Sequence, residues 1–228
     1  MEFKNTQNYI IAVLLILIMT SCEGRVTDFG YNASISGQVL DQSGNIVSGD
    51  ITSASFSVQA LGEQDELPME LRINGDGTYA NTKLYPQSYT VWLEGPIISS
   101  QEITVDLSDG GDVTHDFTVT PFLTIPPPEL NSSATSSEVS VSYSVRENEG
   151  HVAELIEVYV STVAYPTHTT GSGTGWHTQT EEMNENEGTV TVSGLEPGTQ
   201  YFIRIGARAE DANTRNFSDQ ITVTTPES

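Results

Sequence analysis

The sequence predicts an all-β protein built of two β-sandwiches in tandem, and three observations carry that prediction. From Ser34 onward the apolar residues recur almost entirely at every second position, the spacing that puts alternate side chains on one face of a sheet. Clusters of Gly, Asn and Asp punctuate these runs, and no long helical pattern occurs. A proline- and serine-rich break over residues 124–135 then divides the strands into two sets.

In the first set, Ile35 and Val39 begin the series, followed by Phe56, Val58 and Ala60, and by Met69, Leu71 and Ile73. Tyr89, Val91 and Leu93, then Ile103, Val105 and Leu107, and finally Val113, Phe117 and Val119 complete it. Residues 41–44, 74–77 and 109–112 supply turns, where glycine permits positive φ and Asn or Asp bonds to nearby backbone. At the break, Pro126, Pro127 and Pro128 cannot donate to a ladder, so they make either a stiff hinge or the proline-blunted first strand of the second sandwich. Beyond it Val139, Val141, Tyr143 and Val145 alternate, as do Ile156, Val158 and Val160.

Two motifs sharpen this outline. Ser36, Gly37 and Val39, with Asn74, Gly75, Asp76, Gly77 and Tyr79, then Leu84, Pro86, Tyr89 and Val91, resemble the carboxypeptidase regulatory-like, transthyretin-like (prealbumin-like) sandwich over residues 34–124. Gln87 and Ser88 stand where that family usually has glycine after the proline, and the family implies no catalytic residues. Leu195, Pro197, Gly198, Thr199 and Tyr201 resemble the E-to-F corner of an immunoglobulin-like fibronectin type III sandwich over residues 125–228. Tyr201 would be the corner tyrosine, residues 202–208 strand F, and Ile221, Val223 and Thr225 strand G. The tryptophan usual in strand B is absent, leaving Val141 or Tyr143 to fill its place.

The amino terminus sets the address. Residues 9–19 are an uninterrupted apolar run of eleven, well short of the roughly 20 that a membrane-spanning helix needs. Thr20, Ser21 and Cys22 come next, and Cys22 is the only cysteine in the chain. The pattern resembles a bacterial lipobox, which implies a signal peptide over residues 1–21, cleavage before Cys22 and lipidation of that residue. Residues 22–33 then form a lipidated tether whose polar part, residues 23–33, at about 3.3–3.6 Å per residue could hold the first sandwich up to roughly 35 Å from the bilayer. With no cysteine pair, each sandwich must be stabilised by apolar burial.

The chain carries 31 Asp and Glu against 8 Lys and Arg, a formal net charge of −23 that loss of the leader leaves unchanged. A surface this negative repels phosphate backbones and anionic headgroups, so no nucleic acid partner is expected and the lipid alone holds the protein to the membrane. Neutral, cationic or metal-bridged ligands remain open.

The pattern contains little chemistry. His115, His151, His168 and His177 show no metal-ligand spacing, and Gly171, Gly173 and Gly175 form neither a nucleophile elbow nor a phosphate cradle. No enzyme activity, cofactor or metal is therefore expected. Glu181, Glu182, Glu185 and Glu187 with Asn184 and Asn186, or the turn residues Asn74, Asp76, Asp109 and Asp112, offer hard oxygens to calcium, but none reproduces a recognised calcium loop. A solvated acidic loop is the plainer reading. Trp176 lies among glycines between strands C and E, either as a hydrophobic plug or as an exposed face for a sugar ring. In the second case His177, Tyr165 and Gln179 would supply hydrogen bonds, on loops expected at the distal end of the second sandwich.

A lipobox followed by a transthyretin-like and a fibronectin type III sandwich resembles the Bacteroidota lipoproteins of the domain-of-unknown-function family numbered 3823. The resemblance implies an outer-membrane, cell-surface lipoprotein accessory to starch-utilisation-type glycan uptake, beside a TonB-dependent transporter and its lipoprotein partner, with an oligosaccharide as ligand. The alternative is a scaffolding lipoprotein that contacts proteins through sheet edges and has no ligand of its own.

Overall fold

The computed structural model describes residues 29–50, 56–99, 101–167 and 178–227, with residues 178–180 as backbone. Ala33–Asp41 (β1) turns alternation in sequence into alternation in space, burying Ala33, Ile35, Gly37 and Val39 on one side. Seven further strands share its core: Ser57–Gly62 (β2), Met69–Arg72 (β3), Thr78–Leu84 (β4), Ser88–Glu94 (β5), Ile103–Asp106 (β6), Gly111–Thr114 (β7) and Phe117–Val119 (β8). One sheet runs β4-β1-β7 with β8 also on β1, and the other runs β3-β2-β5-β6. Between them Ile35, Val39, Val58, Ile73, Tyr79, Val91, Leu107 and Phe117 form one hydrophobic core.

Gly37, the glycine of the first motif, has a steric reason. β7 and β8 pair in succession along the same edge of β1, and the chain between them passes so close that a Cβ on Gly37 would lie 1.7 Å from the His115 carbonyl oxygen. Tyr79 Oη donates to that same carbonyl at 2.7 Å, and burial pushes its phenol well above the usual range.

Leu123–Thr124 (β9) opens the second sandwich. Glu129–Leu130 (β10), Glu138–Ser144 (β11), Arg146–Glu147 (β12), Ala153–Ser161 (β13), Thr178–Met183 (β14), Glu187–Ser193 (β15), Gln200–Ala209 (β16), Arg215–Phe217 (β17) and Ile221–Thr224 (β18) complete it. One sheet runs β10-β11-β15, the other β14-β13-β16 with both β17 and β18 on β16, and β9 pairs with β12. Leu123, Ile125, Val139, Val141, Val158, Val192, Ile203 and Ile205 lie in its core. Val141 is the core residue where strand B usually carries tryptophan, while half-buried Tyr143 donates its hydroxyl to the Glu185 carbonyl at the margin. At the corner, Tyr201 Oη accepts the Glu196 N–H at 2.9 Å. The whole described chain is β-structure and connections, with no helix among the described residues.

Two expectations are corrected. Glu181 and Glu182 are not in a loop: they lie on β14 opposite Val158 and Glu157, at the edge of the sheet, where charge discourages pairing with another chain. Nor do the three prolines separate the sandwiches. Ile125 and Leu123 already belong to the second core, so Pro126, Pro127 and Pro128 lie within its blunted first strand, between β9 and β10.

The crossing itself is short and laced to its surroundings. Ile98 N–H donates to the Thr120 carbonyl and Phe122 N–H to the Pro96 carbonyl, while Asn216 donates through Nδ2 to the Pro96 carbonyl and accepts the Leu123 N–H through Oδ1. The two cores consequently fall within one compact unit, Asn32–Ser228.

How they join is visible in β13 and β16. Val158, Val160, Ile203 and Ile205 point into the second core, yet Tyr159, Ser161, Arg204 and Gly206, of opposite parity, are buried too. The outer face of this sheet is covered by the first sandwich. Arg204 is 0% exposed; its guanidinium lies 3.9 Å from the Phe217 ring centroid, donates through Nη1 to Ser48 Oγ at 3.2 Å and through Nη2 to the Gly49 carbonyl at 3.1 Å. Ser48 Oγ in turn donates a hydrogen bond to the Gly75 carbonyl. Burial lowers the Arg204 pKa to about 10, with the Asp50 carboxylate foremost among the charges opposing that shift, so the side chain stays cationic at neutral pH. Gly206 leaves room for the rings beside it, since a Cβ there would come within 2.7 Å of Tyr159 and 2.8 Å of Phe217.

Candidate functional site

Of the four residues singled out for ligand contact, Trp176 and His177 lie outside the described residues, as do Cys22, the leader before it and His168. Gln179 is on β14 opposite Val160. Tyr165 lies in the segment leaving β13. Its backbone takes a φ of 53°, rare for a non-glycine residue, and its N–H donates to Gln220 Oε1 at 2.5 Å. Its ring rests on the 74–77 turn of the first sandwich, where a Cβ on Gly75 would lie 2.1 Å from Tyr165 Cγ. Burial, then the charges of Asp219 and Asp76, push its phenol pKa up. Ser161 and Thr178 form one rung of the β13–β14 ladder, so the connection carrying Trp176 starts and ends at one level of the sheet. Tyr165 ties the beginning of that connection to the joint, not to the distal end expected from sequence. The reason is tertiary: the first sandwich packs on the face of the second instead of extending from its end.

Beside the joint is a crevice of about 390 Å³, walled by Ile46, Val47, Pro121, Ile125, Pro127 and Phe217 among others. Its polar groups are largely engaged. Asp41 Oδ1 accepts the N–H groups of Ser43 and Asn45, its Oδ2 accepts from Asn45 Nδ2, and Asn216 is held by its two backbone partners. For Asp41, burial acts against ionisation, but the bonds from Asn45 and Ser43 prevail and hold its pKa below the usual range. With those groups engaged and the rest of the named wall apolar, the crevice offers few hydrogen-bonding partners to a polyol.

A second concavity, about 350 Å³, lies at the end of the first sandwich between the β2–β3 loop and the start of β5, lined by Gln64, Asp65, Tyr85, Pro86 and Gln87. Gln87 is only 7% exposed and forms its floor. Its Oε1 accepts the Gln64 N–H at 3.1 Å, and its Nε2 donates to Asp65 Oδ2 at 3.1 Å and to Tyr89 Oη at 3.2 Å. Tyr89 Oη in turn donates to the Tyr85 carbonyl at 2.9 Å. Gly62 makes this arrangement fit, because a Cβ there would strike the Gln87 amide at 2.1 Å. Tyr85 lines it as well, a residue half exposed overall. Sequence reasoning did not select these residues, although the signal was there: Gln87 is the departure from the motif's usual glycine.

The histidines that are described are occupied structurally. His151 stacks on Phe122 at 3.6 Å between centroids and bonds Asp211 through Nδ1 at 3.0 Å, and His115 meets the edge of Phe117. Of the turn carboxylates, Asp76 accepts from Thr78 N–H and Oγ1 within its own loop, whereas Asp112 lies on β7 and accepts from Ser34 Oγ on β1. Among the described residues, no group of three or more His, Cys, Asp or Glu is gathered to hold a metal ion.

Comparison with known proteins respects the same division of the chain. Residues 123–226 match the family described as interferon-alpha/beta receptor, fibronectin type III. A DUF3823 family protein from Parabacteroides merdae superposes with a TM-score of 0.67 at 17% identity, covering 84% of this chain and 98% of that one. One from Bacteroides ovatus gives 0.65 at 17% identity, over 85% and 98%. A candidate carbohydrate binding protein from Bacteroides uniformis gives 0.67 at 20% identity, over 86% and 100%. No curated protein matches in sequence. The chain thus has the DUF3823 fold from end to end of those structures, in agreement with the resemblance drawn from its motifs.

Proposed function

We propose that this chain is a non-catalytic, lipid-anchored outer-membrane protein of the cell surface that serves glycan capture beside a TonB-dependent transporter and its lipoprotein partner. The observation that carries the reading is the fold it shares, over its whole two-sandwich body, with a candidate carbohydrate binding protein. The domain types matched are binding and structural types, which supports a role without catalysis. Cys22 behind its apolar leader supplies the anchor, and a net charge of −23 favours a neutral ligand over an anionic one. Direct contact would involve Trp176 and His177 with Tyr165, on the connection rooted beside the joint, and Gln179 on β14 where that connection ends.

The first test is a mild-detergent pull-down of the tagged full-length protein from its own outer membrane. Co-purification of a transporter with its lipoprotein partner supports the reading, and recovery of the protein alone overturns its accessory part. A stable transporter complex whose lipoprotein binds no glycan would favour the scaffolding alternative. For the site, Trp176→Ala should abolish glycan binding while leaving the melting curve unchanged; retained affinity would remove Trp176 from it.

A further inference from the structure

We propose that the concavity formed by Tyr85, Gln87, Asp65 and Gln64 at the end of the first sandwich is a binding subsite for a neutral pyranose ring of an oligosaccharide. The proposal rests on the glycan-capture reading and adds a site in the other sandwich.

Three features converge on that ligand class. A sugar ring presents a flat patch of C–H groups on one side and hydroxyls around its edge, so it needs an aromatic face beside oriented polar groups. Tyr85 provides the face: it is 50% exposed, at the wall of a concavity, and its backbone is fixed by the bond its carbonyl accepts from Tyr89 Oη. Asp65 provides acceptors. Gln87 holds Oδ2 with one bond at 3.1 Å, which leaves the carboxylate with further lone pairs to accept from a ligand in the concavity it lines. The Gln64 side chain, on a loop whose backbone is tied to Gln87, adds an amide able to donate and accept.

The floor is prepared before any ligand arrives. Gln87 has both ends of its amide engaged, and the loop is closed by Asp65 N–H to the Gly62 carbonyl and Glu63 N–H to the Ser88 carbonyl. A preformed polar floor reduces the ordering cost of binding. At about 350 Å³ the space falls in the range of small-ligand sites, roughly 300–1,000 Å³.

Charge sets the specificity. The lining contains a carboxylate and no Lys or Arg. Hydroxyls can donate to Asp65, whereas the carboxylate of a uronic acid or a sulfate ester would face it in a protein already strongly negative.

The test is calorimetric titration of the full mature protein with neutral hexasaccharides (malto-, cello-, xylo- and manno-) and with hexagalacturonate, repeated for Tyr85→Ala, Asp65→Asn and Trp176→Ala. The proposal expects a neutral hexasaccharide to bind, hexagalacturonate not to bind, and Tyr85→Ala to weaken affinity about tenfold or more with an unchanged melting curve. Tyr85→Phe, which keeps the ring, should bind within about twofold of the parent. If a neutral glycan binds and Tyr85→Ala and Asp65→Asn leave its affinity intact, the subsite is overturned while glycan capture stands. If the unmodified protein binds none of these sugars, both fall together.

Discussion

Arg204 in the second sandwich and Gln87 in the first are both nearly buried polar side chains that organise the groups around them, yet they close off space in opposite degrees. Arg204 is enclosed: an aromatic ring lies under its guanidinium, two backbone or hydroxyl oxygens of the other sandwich accept from it, and only Nε lacks a partner. Gln87, though only 7% exposed, lines an opening. Its bonds hold a loop, a carboxylate and a tyrosine hydroxyl around an open concavity. A closed polar cluster fixes how two bodies meet; an open one leaves hydrogen-bonding capacity for a ligand.

Removing each side chain should separate these roles. Arg204→Ala withdraws the cation that Asp50 faces, frees the Gly49 carbonyl and opens a cavity over Phe217, so the unfolding free energy should fall by about 3 kcal/mol in urea titrations. Arg204→Met, which keeps apolar contact with the ring, should cost clearly less. Equal losses in the two variants would mean that the charge and its bonds, not apolar packing on the ring, hold the joint.

Gln87→Ala should cost only about 1 kcal/mol, because water entering the open concavity can replace the lost bonds. Its larger signature should be weaker glycan affinity, as Asp65 and the Gln64 loop lose their common tie. A stability loss as great as that of Arg204→Ala would erase the distinction between the two clusters.

The smallest effect concerns acid. Glu147 accepts the Ala153 N–H and the Asn186 amide, and these bonds, the backbone one foremost, lower its pKa from the usual 4.5. A depressed carboxylate contributes stability above its unfolded pKa and loses it as pH falls through the folded value. Glu147→Gln should therefore be slightly less stable than the parent at pH 7, with the difference vanishing as pH falls through the lowered pKa of Glu147. Because Glu147 is exposed, the gap should also shrink with added salt. A gap that persists at low pH would show that the bonds do not depend on ionisation.

Much of the framework was legible because it is local. Period-two runs such as those centred on Val91 and Val158 place one residue in two toward a core, and the Gly37 and Tyr201 motifs mark positions where chain approach and corner geometry leave little choice. β14 and β17 were missed for a matching reason. Residues 178–183 are polar or charged but for one methionine, and residues 215–217 are too short to show a period. Both are edge strands held by a neighbour whose own pattern is strong. Arg204 gave no warning either, since in an alternating strand its position belongs to the solvent side.

The sequence alone, then, determined the β class, the two-sandwich order and the turns, because side-chain alternation and glycine or proline geometry act over a few residues. Tertiary structure decided that the outer face of β13 and β16 is a second buried surface, that Tyr165 faces the first sandwich, and that Gln87 floors a concavity. Each depends on residues far apart in the chain, such as Arg204 with Ser48 or Gln87 with Gln64, and their meeting is set by which faces pack, not by any local pattern.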